Sequence, residues 1–143
     1  MRKVSDILRR KGERVTTVGS STPVIDALRI MANQNIGSVV VAENEKFLGI
    51  MTERDYSRKI ILKGRSSTDT TVGEIMTKDF PEVKQSDTIE FCMELMSAHN
   101  IRYLPVFENG VMKGIISMND VVKETILTQQ ETISHLQSYI HSS

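Results

Sequence analysis

The sequence predicts an α+β fold made of two copies of a β-α-β-β-α unit, followed by an extra C-terminal helix. Three observations support this prediction: an internal repeat, the same order of helix and strand signals in both copies, and isoleucines spaced by seven residues near the C-terminal end. A unit of about 60 residues buries too little surface to be comfortably stable alone. We therefore expect the two copies to pack as one pseudo-two-fold module.

The internal repeat appears when the chain is compared with itself. At a shift of 65 positions, residues 18–57 align with residues 83–122 without a gap, and 11 of the 40 pairs are identical. Upstream, Val4–Leu8 resembles Val72–Met76 at a shift of 68. The predicted organisation is therefore a first repeat at 4–63, a linker at 64–71, a second repeat at 72–125, and a C-terminal helix and tail at 126–143.

Both copies carry the same local signals. Each begins with a short strand, continues with a helix that starts at a capping residue and ends at an asparagine, and then forms a hairpin before a second helix. In the first copy we predict a strand at Arg14–Val18, a cap at Ser21 or Thr22 with Pro23 in the first turn, a helix end near Asn35, strands at Ser38–Ala42 and Phe47–Met51, and a second helix from Thr52. In the second copy we predict a strand at Phe80–Val83, a cap at Asp87 with Glu90 three residues on, a helix end near Asn100, strands at Tyr103–Phe107 and Val111–Ile116 around Asn109-Gly110, and a second helix from Ser117.

The last helix is predicted over about residues 119–140. Ile126, Ile133 and Ile140 recur every seven residues, with Val122 and Leu136 between them. This apolar stripe is longer than one small domain needs. Packing against its own module and contact with a second copy are equally consistent with the pattern.

Composition and charge exclude several classes. The 18 basic and 18 acidic residues cancel, which argues against bulk attraction to nucleic acid or an anionic membrane. The balance is uneven, because residues 1–71 hold 13 basic and 8 acidic residues and residues 72–143 hold 5 and 10. No apolar run approaches a membrane span, the first residues do not resemble a secretory signal, and Cys92 is the only cysteine. We expect a cytoplasmic protein without a metal site, in which Cys92 is a small buried residue.

One short motif occurs in both copies. Gly49–Asp55 and Gly114–Asp120 share a glycine, two apolar residues, a hydroxyl residue, two variable residues and an aspartate. The simplest interpretation is a capping box that opens the second helix. Glutamate or glutamine is usual at its last position, however, so aspartate in both copies mildly favours a further role. A carboxylate at a helix start can accept hydrogen bonds from a ribose diol, and nearby hydroxyl and N–H groups suit a phosphate.

These motifs, together with Asn35–Val41 and Asn100–Val106, give the sequence a clear resemblance to a pair of cystathionine-β-synthase-type (CBS) domains, the arrangement called a Bateman module. The resemblance covers about residues 4–122. The segments at 52–59 and 62–67 are most similar to those of small stand-alone bacterial members.

The resemblance implies that adenosine nucleotides bind in two clefts between the repeats, with hydroxyl and aspartate from one copy and strand residues mainly from the other. Cleft one would use Thr52, Arg54, Asp55, Arg58, Lys59, Phe80, Pro81, Val83, Ile101, Arg102 and Tyr103. Cleft two would use Thr17, Val18, Ile36, Gly37, Ser38, Ser117, Asn119 and Asp120. Aspartate would hold ribose, the hydroxyls would meet phosphate, and the strands would hold adenine.

The two predicted clefts differ in charge. Cleft one is followed by a basic cluster, whereas cleft two has only Lys123 nearby. We therefore expect cleft one to be the principal phosphate-bearing site, although a solvated basic helix face is an equally good interpretation of each residue alone. The cluster comprises Arg54, Arg58, Lys59, Lys63 and Arg65.

The resulting functional hypothesis is a non-catalytic regulatory module that binds AMP, ATP or NAD and signals by a conformational shift. The alternative is a protein-interaction scaffold with vestigial nucleotide binding. Nucleic-acid binding through residues 59–65 is a weaker third hypothesis. A homodimer is also expected, because modules of this family commonly pair.

Overall fold

The computed structural model describes residues 2–142, and these residues form two compact units. Unit 1 contains residues 2–14 and 81–142, and unit 2 contains residues 15–80. Each unit combines a small β-sheet with helices, as the predicted α+β class requires.

Unit 2 is built on a three-stranded sheet with the order β1-β2-β3. The short β1 pairs in parallel with β2, and β2 pairs with β3 as an antiparallel hairpin. Its elements are β1 (Thr17–Val18), α2 (Val24–Gln34), β2 (Ser38–Glu43), β3 (Lys46–Thr52), α3 (Glu53–Tyr56) running into a π-helical turn (Ser57–Ile61), and α4 (Val72–Ile75).

Unit 1 is built on an antiparallel hairpin, β4-β5, with three helices. Its elements are α1 (Val4–Lys11), α5 (Ile89–His99), β4 (Tyr103–Glu108), β5 (Val111–Ser117) and α6 (Met118–Ser142). The 25-residue α6 follows directly on β5, so the predicted second helix and the C-terminal helix are one continuous element. Among the helices of the described residues, none combines the length and the apolar character that crossing a membrane requires.

The predicted first strands are largely wrong. In unit 2 the strand covers Thr17–Val18 only, because Gly12 ends α1 with a φ of 87° and the chain pairs with β2 only from Thr16 onward. The strand predicted at Phe80–Val83 is reduced to a single bridge between Val83 and Val106. Pro81 lacks the N–H that a ladder needs, which explains why pairing is confined to Val83.

The predicted helix caps also need correction. Pro23 is itself the N-cap residue of α2, without a side-chain cap, and the backbone oxygen of Thr22 instead accepts from Val72 N. Thr88 rather than Asp87 caps α5, accepting from Phe91 N at 3.1 Å, while Asp87 accepts from Lys84 N. The helix ends are confirmed: Asn35 and Asn100 both take the left-handed conformation that stops a helix.

Both predicted hairpins are confirmed. In the second, Asn109 and Gly110 have φ values of 52° and 77°, as a type I′ turn requires. In the first, the equivalent Asn44 and Glu45 have φ values of 50° and 66°. The turn geometry is therefore retained in both copies although only one copy has the preferred glycine.

The two compact units do not coincide with the two sequence repeats, because each unit contains the first helix of the other repeat. Helix α1, which precedes the first repeat's strands, lies in unit 1, where the side chain of Leu8 occupies the space beside Gly114. Helix α4, its counterpart in the second repeat, lies in unit 2, where Met76 lies beside Gly49. With this exchange unit 1 holds ten basic and ten acidic residues and unit 2 holds eight of each. The charge imbalance between the sequence halves therefore disappears within the folded units.

Each unit has its own apolar core. The core of unit 1 collects α1, α5, the hairpin and α6, and includes Ile7, Cys92, Met96 and Leu104. The core of unit 2 collects α2, the sheet, the π-helical turn and α4, and includes Val24, Met31, Val39, Met51, Ile60 and Ile75. Helices α2 and α5 each turn an apolar face to the core of their unit, although Met93 of α5 is 40% exposed.

Cys92 is fully buried, as predicted, and burial raises the pKa of its thiol to about 12. Because the thiolate is the reactive form, we expect Cys92 to resist alkylation by iodoacetamide at pH 8 in the folded protein and to react fully in 6 M guanidinium. Mass spectrometry of the two samples checks this. Rapid labelling of the folded protein would show that unit 1 opens readily.

Candidate functional site

The first motif forms the start of α3. Thr52 is the N-cap residue: its Oγ1 accepts from Asp55 N at 3.1 Å, and Asp55 Oδ2 accepts from Thr52 N at 3.0 Å. This reciprocal pair is the capping box that the sequence predicts. The hydroxyl of Thr52 also donates to Oδ2 at 3.1 Å.

The other oxygen of Asp55 is equally engaged. Oδ1 accepts from Thr77 Oγ1 at 2.7 Å and is paired with Lys59 Nζ at 2.9 Å. A carboxylate offers about four lone-pair sites, and here each oxygen has two partners. Asp55 is also 4% exposed. A diol could therefore reach this carboxylate only by displacing Lys59 or Thr77.

The second motif forms the start of α6, and its aspartate side chain has fewer partners than that of Asp55. Asp120 Oδ2 accepts from Ser117 N at 2.8 Å and from Lys11 Nζ at 2.8 Å. Ser117 Oγ accepts from Asp120 N, which completes the capping box. The oxygen Oδ1 receives no hydrogen bond from any described residue, and the side chain is 14% exposed. This carboxylate therefore has room for one more donor.

Opposing effects act on the pKa of Asp120. Burial raises it, but the hydrogen bonds from Lys11 and Ser117 outweigh burial and the net pKa lies below its ordinary value of 3.8. Since the folded-state pKa is depressed, the interaction stabilises the fold above about pH 4 and this contribution is lost as pH falls through the folded-state pKa.

We expect Asp120→Asn to flatten the loss of stability between about pH 5 and pH 2, because the variant has no carboxylate to protonate at this position. Urea unfolding of the variant and the original protein at several pH values measures how the free energy of unfolding changes with pH. Asp26→Asn is the matched control, since Asp26 is exposed and pairs only with Arg29 within its helix. An unchanged pH profile in Asp120→Asn would contradict the linkage.

The glycine of each motif makes room for the exchanged helices. A Cβ on Gly49 would lie 2.7 Å from the carbonyl oxygen of Thr77, and a Cβ on Gly114 would lie 2.8 Å from Leu8 Cδ2. Thr77 also exchanges both backbone hydrogen bonds with Ile50. Gly49 is thus required for the close approach that brings the hydroxyl of Thr77 to Asp55.

The segments before β2 and β4 lie beside the motif of their own unit. The carbonyl of Gly37 accepts from Glu53 N at 3.1 Å, and the carbonyl of Arg102 accepts from Met118 N at 2.8 Å. Across the hairpins, Ser38 pairs with Thr52 and Tyr103 pairs with Ser117. Each unit therefore brings the strand segment predicted for one cleft (36–38 or 101–103) next to the motif predicted for the other cleft.

The basic cluster has mixed roles. Lys59 is consumed by Asp55 and by the carbonyl of Ile75 at 2.8 Å, and Arg65 pairs with Glu74. Arg58 and Lys63 are exposed, and Arg54 is half-buried. Arg58 is therefore the exposed cation of the π-helical turn, whereas Lys59 of the same turn is paired.

The remaining predicted residues vary in exposure. Thr17, Asn119 and Arg102 are exposed, Val18 and Val83 are buried, and Ile36, Phe80, Pro81 and Ile101 are half-buried. The grouping of these residues into two clefts stays a prediction.

Sequence reasoning missed two residues at these motifs. Thr77 and Lys11 contact the two aspartates, yet each is remote from its partner, by 22 and 109 positions. The repeat gave a partial signal. Val4–Leu8 matches Val72–Met76, so the residues that follow these two segments are expected at similar positions in the two repeats. The repeat does not show which aspartate Lys11 and Thr77 contact, because that depends on which unit contains α1 and which contains α4.

Comparison with known proteins establishes the family and the fold of the chain. A CBS-domain protein of Arabidopsis thaliana, the mitochondrial CBSX3, is 36% identical over 96% of this chain and 71% of its own length. The crystal structure of a CBS-domain protein from Burkholderia ambifaria superposes with a TM-score of 0.85 at 41% identity, covering 89% of this chain and 96% of that one. A CBS domain pair solved with 5′-methylthioadenosine and S-adenosyl-L-methionine shares the fold, with a TM-score of 0.76 at 24% identity over 87% and 96% of the two chains. The CBS domain family itself matches residues 4–62 and 72–126, so two successive matches cover most of the chain. The chain belongs to the CBS domain family and carries a tandem pair.

Proposed function

We propose that this protein is a non-catalytic regulatory module that binds an adenine nucleotide, AMP, ATP or NAD, through its two Gly-x-x-(Thr/Ser)-x-x-Asp motifs. The observation that carries the proposal is that both aspartates stand at a helix start, beside strand segments 36–38 and 101–103. Carboxylate, hydroxyl and backbone groups for a nucleoside thus occur together in each unit. The adenosyl ligands of the related domain pair support the same ligand class.

The two motifs differ in how readily they would accept a ribose. Asp120 has an oxygen open to a further donor, whereas Asp55 has every acceptor position filled within its own unit. We therefore assign the more accessible diol acceptor to Asp120. A diol at Asp55 would replace the ammonium of Lys59, which is 42% exposed and could turn to a phosphate.

Phosphate binding is assigned to Arg58, which is exposed on the turn that follows Asp55. Its guanidinium can donate two parallel hydrogen bonds to a phosphate, a geometry that lysine lacks. Exposed Lys63 adds positive charge near the same turn.

Nucleotide binding would signal by favouring one conformation of the protein over another. A ligand shifts such an equilibrium only by its difference in affinity for the two states. The displacement of Lys59 from Asp55 is a change of this kind, since it breaks a contact that helps hold α3 and the segment after α4 together.

Isothermal titration calorimetry of the full chain with AMP, ATP, NAD and S-adenosylmethionine tests the proposal. We expect at least one ligand to bind, Asp120→Asn to weaken it about tenfold through the ribose, and Arg58→Ala to weaken AMP and ATP about tenfold without affecting adenosine. Lys46→Ala is the control for Arg58→Ala, because Lys46 is an exposed cation of the same unit on the hairpin turn.

Absence of heat and of thermal stabilisation with every adenine ligand would refute nucleotide binding. Binding that Asp120→Asn and Arg58→Ala leave unchanged would refute the assigned residues while leaving the ligand class intact. Asp55→Ala is a poor probe here, since Asp55 also holds the fold of unit 2 together.

The second candidate function is a protein-interaction scaffold without ligand. The exposed apolar residues of α6 favour it, including Ile126 at 46%, Ile133 at 54% and Leu136 at 58% exposure. We also propose that the protein is a cytoplasmic homodimer. Sedimentation velocity at micromolar concentration tests the dimer, and a monomer would contradict it.

A further inference from the structure

Helix α6 has two faces of opposite character. One face packs on its own unit, where Val121 and Glu124 are each 1% exposed. The neighbouring positions Val122 and Ile126 are 49% and 46% exposed. Because residues one and two positions apart do not share a helix face, the buried and the exposed side chains lie on different sides of α6.

The second half of α6 is exposed to solvent, with Glu131 paired to Arg2 of the same unit. The helix continues to Ser142, and every described residue from 129 to 141 is exposed. These 13 residues span about 20 Å at 1.5 Å per residue. Most of the stability of a helix comes from packing of its apolar face, so burial of the exposed apolar side chains against a partner would stabilise this segment.

The exposed apolar residues follow a seven-residue repeat. Ile126, Ile133 and Ile140 occupy one row, and Val122 and Leu136 occupy the row three positions further on. We call these two rows the α6 seam. Alternating spacings of three and four residues are the pattern of a coiled coil, in which isoleucine in the first row and leucine in the second favour two strands.

The residues that flank the α6 seam carry little charge. They are Lys123, Thr125, Gln130, Thr132, Gln137 and Tyr139, and all belong to the described residues. A second copy of the helix would therefore meet almost no like-charge repulsion along this stretch. Apart from Gln129 in the second row, both rows are apolar and the flanks are nearly neutral, so the surface is complementary to itself.

We propose that α6 pairs with α6 of a second copy of this chain in a parallel two-stranded coiled coil through the α6 seam. The proposal gives a surface to the homodimer proposed above and does not depend on nucleotide binding. Gln129 decides the orientation: a parallel pair in register places Gln129 against Gln129 of the second copy. An antiparallel pair with matched layers would place it against Ile133, leaving a polar group facing an apolar one.

Sedimentation velocity with the full chain tests the surface. We expect Ile133→Glu combined with Leu136→Glu to raise the dimer dissociation constant at least 100-fold, because four carboxylates would be forced into one seam. Ser134→Glu combined with Ser138→Glu is the matched control: it adds the same charge to exposed positions of the same helix outside the seam, and dimerisation should stay within about threefold of the original. An unchanged dimer in the seam variant overturns the proposal.

Disulfide cross-linking tests the orientation. Single variants Ile126→Cys and Leu136→Cys are mixed, allowed to exchange subunits and oxidised. A parallel pair gives two homodisulfides, because each cysteine faces itself while the two positions are about 15 Å apart along the axis. An antiparallel pair gives the mixed disulfide instead. The mixed product, or no product, overturns the proposal, and buried Cys92 does not interfere. Neither experiment involves nucleotide, so failure here leaves the ligand proposal standing.

Discussion

Replacing Glu124 by alanine is expected to lower the free energy of unfolding by about 3 kcal/mol and to release helix α1 from unit 1. Glu124 lies on α6 with 1% exposure, and its Oε1 is 2.5 Å from Arg10 Nη1 while Oε2 accepts from Arg2 Nη1 at 3.3 Å. The contact with Arg10 is an ion pair without hydrogen-bond alignment. Arg2 precedes α1 and Arg10 lies in its last turn, so both ends of the helix are tied to one carboxylate. Without it, Arg10 loses this partner and Arg2 keeps only the exposed Glu131.

Urea unfolding measures the loss in free energy of unfolding, and limited proteolysis measures the release of α1. Trypsin should cleave Glu124→Ala faster after Arg9, Arg10 and Lys11, since these bonds become accessible when α1 detaches. Glu131→Ala is the matched control. Glu131 also pairs with Arg2, but it is 59% exposed, so its loss should cost less than about 0.5 kcal/mol and leave the cleavage unchanged. Equal effects in the two variants would show that burial at Glu124 does not matter.

Asp55→Ala is expected to destabilise unit 2 by about 3 kcal/mol, the other large effect. The substitution removes the carboxylate half of the capping box, which accepts from Thr52 N, and takes an acceptor away from Thr77 Oγ1 and Lys59 Nζ. Losing a cap costs about 1 kcal/mol, and hydrogen bonds to a charged group contribute about 1.5–3 kcal/mol each. The loss is thus larger than a cap alone explains.

Asp120→Ala provides the comparison, because it removes the same motif residue from a less closed site. We expect Asp120→Ala to lower the free energy of unfolding by about 1–2 kcal/mol, since Asp120 accepts through one oxygen only and Lys11 can return to solvent. Thermal and urea unfolding of both variants give the ranking. A smaller effect at Asp55 than at Asp120 would contradict the assignment of the two sites.

Local signals in the sequence predicted the fold well where neighbours decide the structure. The hairpins, the left-handed Asn35 and Asn100, and both capping boxes depend on residues within a few positions. The resemblance to CBS domains is likewise confirmed by the family match. These features follow from turn chemistry, side-chain capping and the internal repeat.

Long-range features could not be predicted in the same way. The strand expected at Phe80–Val83 fails because its pairing depends on where β4 lies, and one bridge to Val106 is all that forms. The capping box of Asp55 was visible in the sequence, but its saturation by Thr77 and Lys59 was not. The same holds for α1, whose pattern predicts an amphipathic helix without indicating which repeat it covers.

The exchange of α1 also sets an order of events during synthesis. Unit 2 is continuous in sequence, so all of its residues have been made once Phe80 has been added. Lys11 and its partner Asp120 are 109 positions apart, which corresponds to between about 5 and 22 seconds of translation at 5–20 residues per second. During that time the apolar face of α1, with Val4, Ile7 and Leu8, has emerged without the core that finally covers it. Unit 1 is therefore the late-folding half of the chain, although it contains α1, which is made before any residue of unit 2.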